Sequence, residues 1–189
     1  MTAVRDGDLA KLGLLFERHH LSLFDFLSWM TGDHTAAEDL VQDIFLRILK
    51  YRATYREGGH FETWLYRLAR NARADYFRTR QTVEPLAAEA LERPEPGPTP
   101  MGRLEADRER MRLKRALLEL RADKRELIVL TRYRGMSHAQ IAILLGVETG
   151  TIKVRIHRAL RELRDIFLRL SDGNPPCDVK RSSRTFQII

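Results

Sequence analysis

The residues best suited to chemistry lie on one predicted helix near the C-terminal end of the sequence. From Thr149 onward, Ile152, Ile156 and Leu160 recur at the spacing of a single buried helix face. The remaining face carries side chains that bind phosphates and base edges, namely Thr151, Lys153, Val154, Arg155, His157, Arg158 and Arg161. Arginine grips guanine edges, lysine and threonine hold phosphates, and valine contacts a thymine methyl group. The pattern predicts a helix that reads duplex DNA in the major groove.

The residues before this helix are typical of a helix-turn-helix motif. Ser137 and Gln140 have the spacing of a capping box, and Gly146 stands where a tight turn needs a positive φ. Ala142 is small enough for two helices to cross closely, and Val147 is placed to fill the angle between them. A purely structural helix pair with a hydrated basic face is the alternative. The agreement of helix spacing, turn glycine and charge favours DNA binding.

Basic and aromatic side chains alternate on another predicted helix, from about residue 61 to 80. Its basic and polar residues include Arg67, Arg70, Asn71, Arg73 and Arg78, and its aromatic residues are Trp64, Tyr66, Tyr76 and Phe77. Unstacked bases stack on aromatic rings while guanidinium groups hold the phosphates. The pattern therefore fits single-stranded nucleic acid. It equally fits half-buried aromatic residues beside solubilising arginines, and the spacing alone leaves both interpretations open.

A third polar surface lies on a helix predicted to start at a Thr35–Glu38 capping box. Asp39, Gln42 and Asp43 lie opposite the apolar stripe of this helix, with Arg47 one turn further on. A solvated helix face is the simplest interpretation. A metal-dependent nuclease is disfavoured, because the residues available to complete a metal shell are an amide and an arginine.

Charge and proline divide the chain into segments. Residues 106–170 hold 16 basic and 8 acidic side chains, whereas 1–80 are nearly balanced and 81–105 are acidic. Five of the seven prolines lie between residues 85 and 100, and the two long segments have none. Since proline breaks helix interiors, both long segments can be helical throughout. We therefore predict an all-α protein with two small helical domains, 1–80 and 106–170, a flexible acidic linker over 81–105, and a disordered tail over 171–189.

Composition excludes several classes of protein. The single cysteine, Cys177, rules out an intrachain disulfide framework, and no apolar run reaches the roughly 20 residues of a membrane helix. The six histidines are scattered, and no glycine-rich phosphate loop occurs. We therefore expect no metal, no cofactor, no small-molecule substrate, no catalytic activity and no membrane insertion. The expected location is the cytoplasm, and the net charge of +7 suggests a polyanionic partner.

Three blocks of the sequence resemble a known family. The segment GMSHAQIAILLGVETGTIKVRIHRAL, residues 135–160, resembles region 4 of the extracytoplasmic-function sigma factors of bacterial RNA polymerase. The segment AEDLVQDIFLR, residues 37–47, resembles their region 2.2, and FETWLYRLARNARADYFR, residues 61–78, resembles regions 2.3 and 2.4. The blocks follow one another in the family's order, separated by a linker. The resemblance covers most of residues 9–170.

The resemblance implies a role for each polar surface. Asp39, Gln42, Asp43 and Arg47 would contact the clamp helices of core RNA polymerase. The minus-ten promoter element would be bound and melted by Arg56, His60, Trp64, Arg67, Arg70, Asn71, Arg73 and Arg78. The minus-thirty-five element would be read as duplex by Arg132, Thr149, Thr151, Lys153, Val154, Arg155, His157 and Arg158. The second domain would lie on the polymerase flap.

The resemblance also implies partners beyond DNA and polymerase. Many relatives are held inactive by an anti-sigma factor, and many serve stress or envelope-response genes, so both are expected here in a bacterial, nucleoid-associated setting. The alternative is an autonomous dimeric helix-turn-helix transcriptional regulator, in which the first domain senses or dimerises. The two differ in what binds promoter DNA, because a repressor dimer protects a palindrome unaided.

Overall fold

The chain folds into two helical units, seen here in a computed structural model that describes residues 1–81 and 101–171. Its helices are α1 (Thr2–Arg5), α2 (Lys11–Thr31), α3 (His34–Tyr51), α4 (Phe61–Gln81), α5 (Met101–Glu119), α6 (Ala122–Ile128), α7 (His138–Leu145) and α8 (Thr149–Ser171). Within these ranges no β-strand occurs, so the predicted all-α class with two small domains is confirmed. The predicted tail and most of the predicted linker lie outside the described residues.

The N-terminal unit is an antiparallel α2–α3 hairpin with α4 packed across it. Gly32 ends α2 at a φ of 75°, a value that favours glycine, and its N–H donates to the Ser28 carbonyl over 2.9 Å. The buried stripe of α3 includes Ile44 and Ile48, both fully buried, which pack in one core with Leu65 of α4. The N-terminal unit therefore contains both of the predicted contact helices, α3 and α4.

The start of α3 differs from the prediction. Asp33, not Thr35, is the N-cap residue, and its Oδ1 accepts a hydrogen bond from the Ala36 N–H over 3.1 Å. A side chain caps a helix only where its own backbone is still extended, and Asp33 has a φ of −132° and a ψ of 120°. Thr35 already lies inside the helix, so the predicted Thr35–Glu38 box is wrong.

The C-terminal unit is built from α5 to α8. Its first helix begins at Met101, directly after Pro100 in the sequence and inside the segment 81–105 that was predicted as linker. After α6 the chain forms one π-helical turn over Val129–Tyr133. Asp123 and Glu126 have the spacing of a capping pair, but α6 already starts at Ala122, and its N-cap residue, Arg121, makes no side-chain cap. Glu126 is instead buried, and its partner lies in the other unit.

The two units are packed against each other. One continuous apolar cluster contains Leu65 and Ala69 of α4 together with Leu130, Ile141 and Leu144 of the C-terminal unit. At its edge, the Trp29 and Tyr133 rings lie 5.3 Å apart, and Arg125 Nη1 donates to the Trp29 carbonyl over 3.1 Å. The two predicted domains therefore share a buried junction, which the division into segments by charge and proline did not predict.

Candidate functional site

The helix-turn-helix motif positions the basic face of α8. Ser137 Oγ accepts from the Gln140 N–H over 3.2 Å, and Gln140 Oε1 accepts from the Ser137 N–H over 2.8 Å. Gly146 ends α7 at a φ of 65°. The Val147 N–H then donates to the Ala142 carbonyl over 3.0 Å and closes the turn. The predicted capping box and turn glycine are confirmed, and together they fix the angle between α7 and α8.

The basic residues of α8 face outward. Ile152, Ile156 and Ala159 are buried on the inner side, while the outer side exposes Lys153, Val154, Arg155, His157 and Arg158. Thr149 and Arg132 are also exposed, and Thr151 is half-buried. Within residues 1–81 and 101–171, the cations on this face make no ion pair. A regular helix fits the width of the major groove. The unpaired cations on its exposed face match the negative charge of DNA.

A cavity of about 1060 Å³ opens beside the turn between α3 and α4. Its walls are the loop that precedes α4, the outer side of α4 itself, and Ile143 from α7. Five of the eight residues predicted for the minus-ten element line it, namely Arg56, His60, Trp64, Arg67 and Asn71. The cavity thus brings together most of the residues that the sequence predicted for the minus-ten element.

The aromatic residues give this cavity a rigid wall. The Tyr55 and Trp64 rings lie 5.6 Å apart, and the Phe61 and Trp64 rings lie 6.1 Å apart. Trp64 Nε1 donates to Thr54 Oγ1 over 3.3 Å, and Tyr55 Oη donates to the Gly59 carbonyl over 3.1 Å. The contacts of Trp64 with Thr54 and Tyr55 tie the start of the loop to α4, and the Tyr55 hydrogen bond closes the loop on itself. An aromatic surface of this kind provides a flat face on which an unstacked base can lie.

Thr63 is a polar residue of the cavity that the sequence analysis missed. Its side chain is 5% exposed, and its Oγ1 has no hydrogen-bond partner among the described residues. A buried hydroxyl without a partner is costly, and this oxygen is shielded from solvent behind the cavity wall. A threonine in the first turn of a predicted helix resembles an ordinary helix start, and nothing in the sequence distinguished it.

The other three residues predicted for the minus-ten element lie away from this cavity. Arg70 Nε donates to Glu126 Oε1 over 2.8 Å, so its guanidinium is engaged by the C-terminal unit. Arg73 is half-buried beside it, and burial lowers the pKa of its guanidinium. Arg78 is exposed and forms a 2.7 Å ion pair with Asp75.

The polar face predicted on α3 divides into an open part and a paired part. Asp39 and Gln42 are exposed. Asp43 forms a 2.8 Å ion pair with Arg47, whose Nη1 also reaches Asp75 of α4 over 2.8 Å. Arg47 therefore ties α3 to α4 and holds Asp43 in place, a structural task that the sequence did not reveal.

Leu46 is a further residue of the α3 face that the sequence analysis missed. Its side chain is 66% exposed, and it lies two turns after Asp39 on the same side of the helix. A large apolar side chain beside exposed polar groups is typical of a protein-contact surface. The sequence signal was available, because Leu46 lies outside the Leu40–Ile44–Ile48 stripe.

Two kinds of feature are absent from residues 1–81 and 101–171. No three His, Cys, Asp or Glu side chains there come together as metal ligands would. None of the helices described combines the length and apolarity needed to cross a membrane.

Comparison with known proteins gives concordant results. Residues 15–83 match the family model Sigma-70 region 2, and residues 110–163 match the model Sigma-70, region 4. The chain is 33% identical over 170 residues to RNA polymerase sigma factor CarQ of Myxococcus xanthus, covering 88% of this chain and 95% of CarQ. It is 32% identical over 159 residues to ECF RNA polymerase sigma factor SigL of Mycobacterium tuberculosis, covering 84% and 89%.

Solved structures with a similar fold include two complexes. The sigma factor RpoE of Bartonella quintana, bound to the anti-sigma factor NepR, superposes with a TM-score of 0.67 at 26% identity. That match covers 82% of this chain and 96% of RpoE. CnrH, in complex with the cytosolic domain of CnrY, superposes with a TM-score of 0.64 at 26% identity, covering 90% and 94%.

Proposed function

Because the chain belongs to the extracytoplasmic-function (ECF) sigma factors of the sigma-70 family, we propose that it binds core RNA polymerase and directs it to promoters with two dissimilar elements. Sigma factors are transcription initiation factors, and the proposal assigns this chain no catalytic step of its own. The observation that carries the proposal is the presence of two different DNA-suited surfaces on one chain. One is a basic helix whose diameter suits the DNA major groove, and the other is a cavity of about 1060 Å³ with an aromatic wall.

The outer face of α8 is proposed to read the minus-thirty-five element as duplex. Arg155 and Arg158 are both exposed and lie one turn apart on α8, outside the buried stripe of Ile152 and Ile156. Their side chains extend in the same direction and can reach adjacent base pairs, while Lys153 holds a phosphate. Exposed Val154 supplies an apolar contact suited to a thymine methyl group.

The cavity beside α4 is proposed to hold a base extruded from the minus-ten element. Extrusion costs a few kcal/mol and needs a pocket, a stacking surface and hydrogen-bond partners for the base. Trp64 supplies the stacking surface, and the Asn71 amide supplies polar groups. Arg56, His60 and Arg67 at the walls can hold the flanking phosphates.

The open part of the α3 face is proposed to bind the clamp helices of core polymerase. Asp39, Gln42 and Leu46 combine polar and apolar contacts on two successive turns, and Asp43 adds a carboxylate fixed by Arg47. The C-terminal unit is proposed to lie on the flap. Both contacts hold the two DNA-reading surfaces on the polymerase. Once one surface has bound its promoter element, the effective concentration of the other surface at its own element is raised.

An anti-sigma factor is proposed as the regulator of this chain. RpoE, which matches most of this chain at 26% identity, is bound to an anti-sigma factor in its structure. An interface with such a partner needs exposed apolar groups. Leu14 and Leu21 lie two turns apart on α2 and are 50% and 65% exposed. The autonomous dimeric regulator is not favoured by the comparisons, since the matched relatives are sigma factors.

Transcript mapping tests this proposal. Purified chain and core RNA polymerase from the source bacterium are combined on genomic DNA, and the 5′ ends of the transcripts are sequenced. We expect start sites that appear only with the chain and share two upstream elements at fixed spacing. Start sites that are identical with core polymerase alone would contradict the proposed function.

Replacing Arg158 by alanine tests the assignment of α8 in the same assay. Loss of one bidentate contact to a base costs about 1–3 kcal/mol of discrimination, which is roughly 5- to 150-fold. The mapped promoters should then lose preference at one position of the upstream element and keep the downstream element unchanged. An unaltered upstream element would remove Arg158 from the reading surface. Arg164→Ala, which changes an exposed arginine of the same helix outside the proposed reading surface, serves as the matched control.

A further inference from the structure

The cavity beside α4 has more room than a single extruded base requires. It measures about 1060 Å³. Pockets that enclose a whole small-molecule ligand measure roughly 300–1,000 Å³. The cavity is also complete in the chain by itself, because Ile143 of α7 forms part of its wall and the Ile143 carbonyl accepts a hydrogen bond from Arg67 Nη2 over 3.4 Å. The free chain therefore offers space for a ligand considerably larger than one base.

Two basic side chains at the cavity wall lack partners. Arg56 and His60 are both exposed, and neither side chain forms a hydrogen bond or an ion pair with another described residue. The carboxylate among the described lining residues is that of Asp75, and Arg47 already engages it over 2.8 Å. A guanidinium donates paired hydrogen bonds in a planar geometry that suits phosphate oxygens, and an imidazole N–H adds a further donor. The wall therefore offers phosphate-binding groups that no other described residue occupies.

A stacking surface follows these donors directly in the chain. The Trp64 N–H donates to the His60 carbonyl over 3.3 Å, so the indole lies one helical turn after the imidazole. Thr54 and the Tyr55 ring hold the indole in place. A bicyclic purine covers more of an indole face than a single pyrimidine ring does. Asn71, two turns further along α4, lines the same cavity with an amide that both donates and accepts.

We propose that this cavity binds a free purine nucleoside 5′-diphosphate or 5′-triphosphate as a ligand that undergoes no reaction. The base lies on Trp64, and Arg56 and His60 hold the phosphates. The inference goes beyond the proposed function, because it concerns the chain without promoter DNA or polymerase. Since the extruded base is also proposed to lie on Trp64, a bound nucleotide and an extruded base exclude each other.

Nucleotide binding is measured by isothermal titration calorimetry on the full chain alone, in about 0.15 M salt to screen loose attraction of phosphates to the basic surface. ADP and GDP should each bind at a single site. Adenosine and inorganic pyrophosphate should each bind about tenfold more weakly than ADP, because each keeps only the stacking or only the phosphate contacts. CDP should bind about fivefold more weakly, because its single ring covers less of Trp64.

Three results of these titrations would overturn the proposal. The first is no binding of either purine diphosphate at millimolar concentration. The second is pyrophosphate binding as tight as that of ADP, which would indicate a basic patch without a base site. The third is equal affinity for ADP and CDP, which would remove the purine from the assignment.

Two variants locate the nucleotide in the cavity. Trp64→Ala should weaken ADP binding roughly 5- to 150-fold through lost stacking, and Arg56→Ala about tenfold through lost phosphate contacts. Arg56 is exposed in the loop, so its variant keeps the test valid if Trp64→Ala disturbs the fold. The matched controls are Phe77→Ala and Arg108→Ala, which remove an exposed ring and an exposed guanidinium outside the cavity.

Both control variants should bind ADP as the wild-type chain does. Equal losses in the control and cavity variants, or unchanged affinity in both cavity variants, would overturn the proposal. The proposed function is tested separately by transcript mapping. Chain-dependent start sites without nucleotide binding would remove this inference alone, whereas nucleotide binding without chain-dependent start sites would remove the proposed function alone.

Discussion

Replacing Asp39 by arginine is expected to weaken binding of the chain to core RNA polymerase by roughly a hundredfold. Asp39 is exposed in the middle of the proposed clamp-binding face, one helical turn from Gln42 and two from Leu46. Reversing a charge in a polar contact costs about 3 kcal/mol through lost pairing and new repulsion, which corresponds to that loss. The measurement is the dissociation constant of fluorescently labelled chain for core enzyme.

The control for Asp39→Arg is Glu17→Arg, an identical charge change at an exposed position of α2 outside the proposed face. Helix content by circular dichroism should be the same for both variants. Asp39 is a better choice than Asp43, because Asp43→Arg would also confront Arg47 and disturb the tie between α3 and α4. Equal affinities of Asp39→Arg and wild-type chain would show that this face is merely solvated.

Replacing Trp64 by alanine is expected to reduce promoter opening by about ten- to a hundredfold while core binding stays intact. Trp64 is both the proposed stacking surface for an extruded base and the residue that ties the loop to α4 through Thr54. Loss of stacking alone costs about 1–3 kcal/mol per base. Opening is followed by the fluorescence of 2-aminopurine placed in the downstream element.

Two companion variants separate stacking from general damage to α4. Phe77→Ala removes an exposed aromatic ring from the same helix at a position that does not line the cavity, and it should open promoters normally. Trp64→Phe retains an aromatic face and should recover much of the activity. Normal opening by Trp64→Ala would exclude the cavity as the place where the base is held.

The structural features that could be predicted from the sequence are those that local periodicity and turn chemistry determine. Ser137, Gln140 and Gly146 were identified as a cap and a turn because their roles depend on their own backbone and on neighbours three residues away. The outward face of α8 followed from the spacing of Ile152 and Ile156. Family resemblance then gave these surfaces their expected partners.

The features that the sequence did not reveal depend on contacts between distant segments. Glu126 has the spacing of a helix-capping residue, yet it lies buried against Arg70, 56 positions earlier in the chain. Arg47 and Asp75 are 28 positions apart, so their ion pair was equally invisible. Asp33 caps α3 because its own backbone is extended, whereas the backbone of Thr35 is already helical, and the spacing of the residues did not distinguish the two. Burial and charge pairing of this kind become evident only in three dimensions.

The central claim is that the chain reads a promoter only when it is mounted on core RNA polymerase. The most direct measurement is an electrophoretic mobility shift with a mapped promoter duplex, performed with the chain alone, core alone and both together. We expect a sequence-specific complex, sensitive to changes in either element, only when both proteins are present. A tight, specific complex of the chain alone on a palindromic duplex would contradict the account and favour an autonomous regulator.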